Sequence, residues 1–80
     1  MQLTVRNHMR ELRQCRRIRV AAMADDLRIS ASMIYSLERD PITPNLELAY
    51  RIAHYFDLAV EQVFEPIYAD RRGPVKAVAN

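Results

Sequence analysis

The stretch that decides the fold runs from Val20 to Arg39 and reads VAAMADDLRISASMIYSLER. Its small and branched apolar residues recur at spacings of three and four, as they do along one face of a helix. A break at Ile29-Ser30 separates two such stripes, and serine is a favourable cap for the helix that follows it. The pattern therefore predicts two short helices that cross at a tight turn. The residues expected to face inward are Ala24, Leu27, Ile29, Ile34 and Leu37.

Two helices joined in this way form a helix-turn-helix unit. The second helix of such a unit commonly lies in the major groove of DNA. The charge distribution favours a nucleic-acid partner, because residues 1–39 carry eight arginines and four carboxylates, a net charge of +4, whereas residues 40–80 carry −2. Arg10, Arg13 and Arg17 share one helical face, which is either a strip for phosphate groups or a solvated surface.

Composition limits the class of protein. A chain of 80 residues with one glycine and 50% apolar residues is typical of one small all-α domain. A domain of this size buries only roughly 60% of its unfolded surface and is marginally stable alone, so its size favours a partner subunit. No apolar run is long enough to span a membrane, and no signal-peptide pattern is present. We therefore expect a cytoplasmic protein with no membrane partner.

Catalytic and metal chemistry find no support in the residue pattern. Cys15 is the single cysteine, and His8 and His54 lie far apart in the sequence, so the spacing of a metal site is absent. We expect no enzymatic activity, no cofactor and no small-molecule ligand. We interpret Cys15 as a half-buried packing residue rather than a redox sensor.

Capping residues and hydrophobic period predict the helices. Asn7, Ser30 and Asn45 can each accept the free backbone N–H groups at a helix start, whereas Arg19 cannot. The fourth helix has the strongest amphipathic pattern, and its inward stripe consists of Leu46, Ala49, Ile52, Ala53 and Phe56. The predicted helices span about residues 8–17, 20–27, 31–38, 46–55 and 60–63.

A short strand is predicted on each side of the helices. In residues 2–6, Leu3 and Val5 alternate with polar residues, which suits a strand with one covered face. Residues 64–69 read as an edge strand, because Pro66 is tolerated only at an edge. The two strands are expected to pair in a small sheet. The domain is then assigned to residues 1–69, with its core in 7–64 and a flexible tail in 70–80.

Four phrases of the sequence stand at characteristic spacings: RELRQ at 10–14, ISASMIYSLER at 29–39, PNLELAYRIA at 44–53 and VEQVF at 60–64. Together they resemble the Xre/Cro/CI family of bacterial and phage helix-turn-helix repressors. The resemblance implies a five-helix bundle of the lambda-repressor kind. The chain looks like a short stand-alone member of the cytolysin-operon repressor kind, which implies terminal strands and a homodimer.

Several residues depart from the family pattern. Val20 stands where the family usually has a glutamine that contacts phosphate and braces the second helix of the unit, and valine can do neither. Charged residues stand where glycine is usual at the turns, and holding one of them in the left-handed region costs about 1–2 kcal/mol. These turn residues are Arg17, Arg28, Asp40 and Asp57.

The outward side chains of helix 31–38 are candidates for base contacts. Serines there offer single hydrogen bonds, whereas Arg or Gln would make bidentate contacts worth about 1–3 kcal/mol. We therefore expect modest direct readout, with DNA shape and dimer spacing contributing to sequence choice. The base-reading candidates are Ala31, Ser32, Met33, Tyr35 and Ser36.

Arginines near the helix pair are candidates for phosphate contacts. The family pattern implies such a contact for Arg39, and the alternative is a surface salt bridge. Glu38 either pairs with an arginine near the first helix or is solvated. The phosphate candidates are Arg10, Arg17, Arg19, Arg28, Arg39 and Asn45.

These patterns predict a sequence-specific DNA-binding regulator: a homodimeric repressor that inserts helix 31–38 in the major groove of a pseudo-palindromic operator. The alternative is a protein-interaction module, such as an antitoxin or a regulatory subunit, whose helix-turn-helix surface or tail binds another protein. The last helix and its flanks carry more apolar residues than one small core needs. The dimer-interface candidates are Leu58, Val60, Val63, Phe64 and Tyr68.

Overall fold

Five helices and two strands make up the computed structural model, which describes residues 3–40 and 42–68. Their order and type confirm the predicted five-helix bundle with a small terminal sheet. The predicted tail at 70–80 lies outside the described residues, so the domain assignment stays a prediction. The elements are β1 (Leu3–Asn7), α1 (Met9–Cys15), α2 (Val20–Leu27), α3 (Ala31–Arg39), α4 (Leu46–Phe56), α5 (Val60–Val63) and β2 (Phe64–Tyr68).

The predicted caps of α3 and α4 are in place. The Ser30 hydroxyl oxygen accepts a hydrogen bond from the backbone N–H of Met33 at 3.0 Å. The side-chain oxygen of Asn45 accepts one from the N–H of Leu48 at 2.8 Å. These bonds satisfy donors that have no partner within the helix. Arg19 precedes α2 without a side-chain cap, as predicted.

The first helix is shorter than predicted and ends at Cys15. Arg17, with a φ of 55°, is in the left-handed region, and this turn of the backbone stops the helix before residue 17. Asn7 acts at the start of α1, since its Oδ1 accepts from the N–H of Met9 at 2.8 Å. Cys15 is exposed at the end of the shortened helix, so the prediction that it is half-buried was wrong.

The hydrophobic core gathers the inward faces of the helices. Of the inward set predicted between residues 20 and 39, four are buried and Ile29 is half-buried against them. Leu46, predicted to face inward, is 70% exposed, so that prediction was wrong. It is the first residue of α4, where no other described element covers the helix, and the buried stripe begins one turn later at Ala49. The largest fully buried side chains are Phe56, Met9, Met23, Ile34, Leu37, Ile52 and Val63.

The two strands pair antiparallel, with Leu3 opposite Tyr68, which confirms the predicted sheet. Pro66 is accommodated because both strands of a two-stranded sheet are edges. Leu3 is 55% exposed and Val5 is also exposed. The strand face that we expected to be covered is therefore open within the described part of the chain.

His8 joins the sheet to α1. Its backbone N–H donates to the carbonyl of Val63 at 2.8 Å. Its ring nitrogens Nδ1 and Nε2 lie 2.7 Å from a carboxylate oxygen of Glu11 and 2.9 Å from one of Glu65. The hydrogen bond with Glu11, followed by that with Glu65, raises the pKa of the imidazole. The protonated ring can donate to both carboxylates, so the charged form ties the start of α1 to β2.

Candidate nucleic-acid interface

The inward side of α3 fixes its position in the bundle. Ile34 and Leu37 are buried in one cluster with Ala24 of α2. Alanine at that position leaves room for two helices to approach closely. The side-chain amide of Asn7 also donates to the carbonyl of Leu37 at 2.7 Å. The helix is therefore presented in a defined orientation.

The base-reading candidates on the outward side of α3 carry no charge. Four of the five base-reading candidates are exposed, and Ser36 is half-buried. The structure thus brings all five onto the surface of one helix. Hydroxyl groups are the hydrogen-bonding groups among them, and each can donate one hydrogen bond and accept others. The exposed four are Ala31, Ser32, Met33 and Tyr35.

An ion pair holds α1 against α3. Arg13 donates from Nε to Oε2 of Glu38 at 2.8 Å and from Nη2 to Oε1 at 3.1 Å. The two side chains are only 13% and 4% exposed. Arg13 Nη1 also donates to the carbonyl of Ile18 at 3.1 Å. The hydrogen bond with Glu38 raises the pKa of Arg13. Of the two alternatives for Glu38, pairing with an arginine of the first helix is the one observed.

Arg10, Arg13 and Arg17 do not form one continuous basic strip. Arg13 is paired with Glu38, and Arg17 lies beyond the end of α1 in its left-handed turn. The shared face required a helix that continued to residue 17. Of the three arginines, Arg10 remains on the exposed surface of α1.

Exposed arginines lie at both ends of α3. Arg28 is the left-handed residue that ends α2, and Arg39 is the last residue of α3. Arg39 Nε lies 3.4 Å from Oδ1 of Asp40, but both side chains are well exposed. A surface pair of this kind contributes about 0–1 kcal/mol, so it leaves the guanidinium available to a stronger anion. The other phosphate candidates Arg10, Arg17, Arg19 and Asn45 are exposed too.

Three of the four turn positions at which glycine is usual are left-handed. Arg17, Arg28 and Asp57 have φ values of 55°, 58° and 59°. Asp40 is extended instead, with φ −88° and ψ 154°, so the expectation of a left-handed residue there was wrong. Asp40 precedes a proline in the sequence, and a residue in that position is driven to extended backbone.

Two arginines that sequence reasoning missed cap the ends of other helices. Arg51 on α4 donates from Nη2 to the carbonyl of Leu27, the last residue of α2. Arg16 donates from Nη1 to the carbonyl of Phe56, the last residue of α4, at 2.6 Å. Cations at these ends satisfy free carbonyls and complement the helix dipole. No local sequence signal separates them from arginines that face solvent, because the capped helix lies far away in the sequence.

The dimer-interface candidates differ in how deeply they are buried. Val63 and Phe64 are buried in the core because α5 and β2 pack them inward, so they expose little surface to a second copy. Leu58, Val60 and Tyr68 are half-buried and keep exposed surface. An open groove borders the first two. It is lined by Tyr50, Ala53, His54, Leu58, Ala59, Val60 and Glu61.

Within residues 3–40 and 42–68, no group of three or more His, Cys, Asp or Glu side chains could hold a metal ion. No helix among these residues is long and apolar enough to cross a membrane.

Comparison with known proteins agrees with this geometry. The helix-turn-helix family model HTH_3 matches residues 9–63, which run from the start of α1 to the end of α5. No curated protein sequence matches the chain significantly. The family match covers more than half of the chain and includes both helices of the predicted unit. The chain therefore belongs to the Xre/Cro/CI-type helix-turn-helix family of DNA-binding regulators.

Proposed function

We propose that the protein is a sequence-specific transcriptional repressor that binds double-stranded DNA as a homodimer, with α3 in the major groove. The observation that carries the proposal is α3 itself. The core and the ion pair of Glu38 hold its inward side, and its outward side is exposed between Arg28 and Arg39. A rigid helix with cations at both ends suits a groove that is bordered by two phosphate backbones.

Base readout in this proposal rests on small side chains. Ser32 and Ser36 supply single hydrogen bonds, while Ala31 and Met33 are suited to contact with thymine methyl groups. Such contacts discriminate less than a bidentate Arg or Gln. DNA shape and the spacing of the two half-sites therefore supply part of the sequence preference.

Backbone phosphates anchor the protein through exposed arginines. Arg19, at the start of α2, lies next to the buried Val20, which cannot make the phosphate contact of the family glutamine. Arg10, Arg17 and Arg28 are exposed as well. These contacts act equally on any sequence and fix the register of the protein on the duplex.

The homodimer is proposed to form around the groove between α4 and α5. Leu58 and Val60 border this groove, and Tyr50 beside them is 57% exposed. An isologous contact at this surface covers apolar area on both copies. Two copies related by a two-fold axis then present their α3 helices to major grooves about 34 Å apart.

The proposal is tested by titrating the protein, at two salt concentrations, against the DNA upstream of its own gene (the upstream DNA) and against a random duplex. Tighter binding to the upstream DNA, with both affinities falling as salt rises, is expected. Equal affinity for both duplexes overturns the specific-repressor function. Sedimentation that shows only monomer at micromolar concentration overturns the homodimer.

Exposed apolar residues on α4 favour a second candidate function. Leu46 and Tyr50 are four residues apart, so they share a helix face, and both are well exposed. That face suits a module that binds another protein, such as an antitoxin or a regulatory subunit. The same titration separates the two candidates, because a module without a DNA partner shows little duplex binding at any salt concentration.

A further inference from the structure

A small pocket of about 160 Å³ lies where α3 meets α1. This volume corresponds to about five water molecules, so it is large enough to admit one phosphate group. The pocket is lined by Arg10, Arg13, Tyr35, Glu38 and Arg39.

The charges that line the pocket are not all balanced. Arg13 and Glu38 neutralise each other through their two hydrogen bonds and form the buried side of the pocket. Arg10 has no salt bridge with another described residue, and Arg39 has only its long, exposed contact with Asp40. Two guanidinium groups therefore face one small space without a strong anionic partner.

We propose that this pocket binds a single backbone phosphate of DNA. Arg10 and Arg39 donate to the non-bridging oxygens, and the hydroxyl of Tyr35, a residue that is 51% exposed, is a third donor. Guanidinium groups match the geometry of phosphate oxygens, and tyrosine is among the side chains that contact phosphates. This inference rests on the proposed DNA binding. It assigns Tyr35 to the phosphate backbone instead of the bases.

The salt dependence of DNA binding distinguishes one phosphate shared by two arginines from two separate phosphate contacts. Each phosphate that a protein neutralises on B-DNA adds about −0.9 to the slope of log affinity against log salt. If Arg10 and Arg39 bind one phosphate together, the homodimer with both replaced by alanine loses one phosphate contact in each copy, or about 1.8 from the magnitude of the slope. If they bind two different phosphates, the homodimer loses four contacts, or about 3.6.

The experiment measures this slope on a random duplex for the wild type and for Arg10→Ala, Arg39→Ala and the double variant. Each single variant is expected to bind about a hundredfold more weakly, because each copy of the homodimer loses a hydrogen bond to a charged group, worth about tenfold. Arg6→Ala removes an equal charge from the exposed surface of β1 and is the matched control, with a near wild-type slope. A double-variant loss near 3.6, or no larger than that of the control, overturns the shared pocket.

Neutral methylphosphonates, placed one at a time in the upstream duplex, provide a second readout. One position in each half-site should weaken the wild type about tenfold and leave the double variant unchanged, because its phosphate contact is already gone. If every position that weakens the wild type weakens the double variant equally, the pocket does not bind phosphate.

The Tyr35→Phe variant tests the reassignment of the tyrosine. A similar loss of affinity on upstream and random DNA supports a phosphate contact, whereas a loss on upstream DNA alone makes Tyr35 a base reader and overturns its place in the pocket. A wild type that binds no duplex overturns the proposed function. A wild type that binds while the arginine variants match the control overturns only the pocket.

Discussion

Arg13 and Glu38 meet through two hydrogen bonds of 2.8 and 3.1 Å where α1 crosses α3. Both side chains are largely shielded from water. Removing one partner from such a pair leaves the other charge buried and uncompensated, which costs about 3–5 kcal/mol. Replacing both partners by apolar side chains of similar volume is often neutral or stabilising. The pair therefore constrains how each residue can be changed.

Arg13→Met is expected to lower the free energy of unfolding by about 3 kcal/mol, because the Glu38 carboxylate loses its partner. The double variant Arg13→Met/Glu38→Leu is expected to recover most of this loss. Urea unfolding measures both. The control is Arg10→Met, an exposed change on the same helix, which should stay within about 0.5 kcal/mol of the wild type. A single variant no less stable than this control would contradict the ion pair.

The stability that His8 contributes is expected to fall as pH rises. Its pKa is raised above the unfolded value of 6.5, chiefly by Glu11 and then by Glu65. The contribution is therefore fully present below pH 6.5, while the carboxylates remain ionised, and is lost as pH rises through the folded pKa. Urea unfolding between about pH 5 and pH 8 should show this decline for the wild type and not for His8→Gln.

His54→Gln is the matched control for this pH profile. His54 is exposed near the end of α4, and its replacement leaves both carboxylate contacts of His8 intact. The decline with pH should persist in this variant. A constant difference in stability between the wild type and His8→Gln across the range would rule out the linkage.

Arg28→Gly is expected to stabilise the fold and weaken DNA binding. Glycine relieves about 1–2 kcal/mol of left-handed strain at φ 58° and costs about 0.5–1 kcal/mol in chain entropy. The net gain is roughly 0.5–1 kcal/mol by thermal or urea unfolding, while the proposed phosphate contact is lost. Asp40→Gly is the control, because its φ of −88° leaves no such strain to relieve. Equal stabilisation of both variants would disprove strain as the cause.

Ser32→Ala and Ser36→Ala are expected to change specificity more than affinity. Each removes a single neutral hydrogen bond, so the ratio of affinities for upstream and random DNA should fall about fivefold. A bidentate arginine or glutamine contact carries up to about 3 kcal/mol of discrimination. Binding to the random duplex is the internal control and should stay unchanged. A loss of a hundredfold or more would show that these serines read bases far more strongly than their chemistry suggests.

Local signals predicted the helices and strands well, because helix caps and hydrophobic period depend on residues that are close together in the sequence. Ser30 and Asn45 cap α3 and α4 as expected, and the predicted bounds of α2 and α5 agree with the structure. The end of α1 was missed. The helical period continues to Arg17, and only the family resemblance, not the residue type, placed a turn at that position.

Contacts between distant parts of the chain limited how much of the candidate site could be predicted from the sequence. The helical period placed Arg10 and Arg13 on one face, but only the crossing of α1 and α3 determines that Arg13 meets Glu38. The capping roles of Arg16 and Arg51 depend on helix ends distant in sequence. For the same reason, residue type alone could not show whether an apolar residue such as Val63 belongs to the core or to an interface.

The sheet also bears on the order in which the chain folds. Leu3 and Tyr68 pair across the whole helical region, whereas α2 and α3 are neighbours in the sequence. An isolated two-stranded sheet is marginal in water, so β1 and β2 depend on the helices to bring them together. We expect the sheet to form last and to open first. Amide hydrogens in β1 should then exchange through openings that leave α3 folded, and a brief separation of the strands need not interrupt contact with DNA.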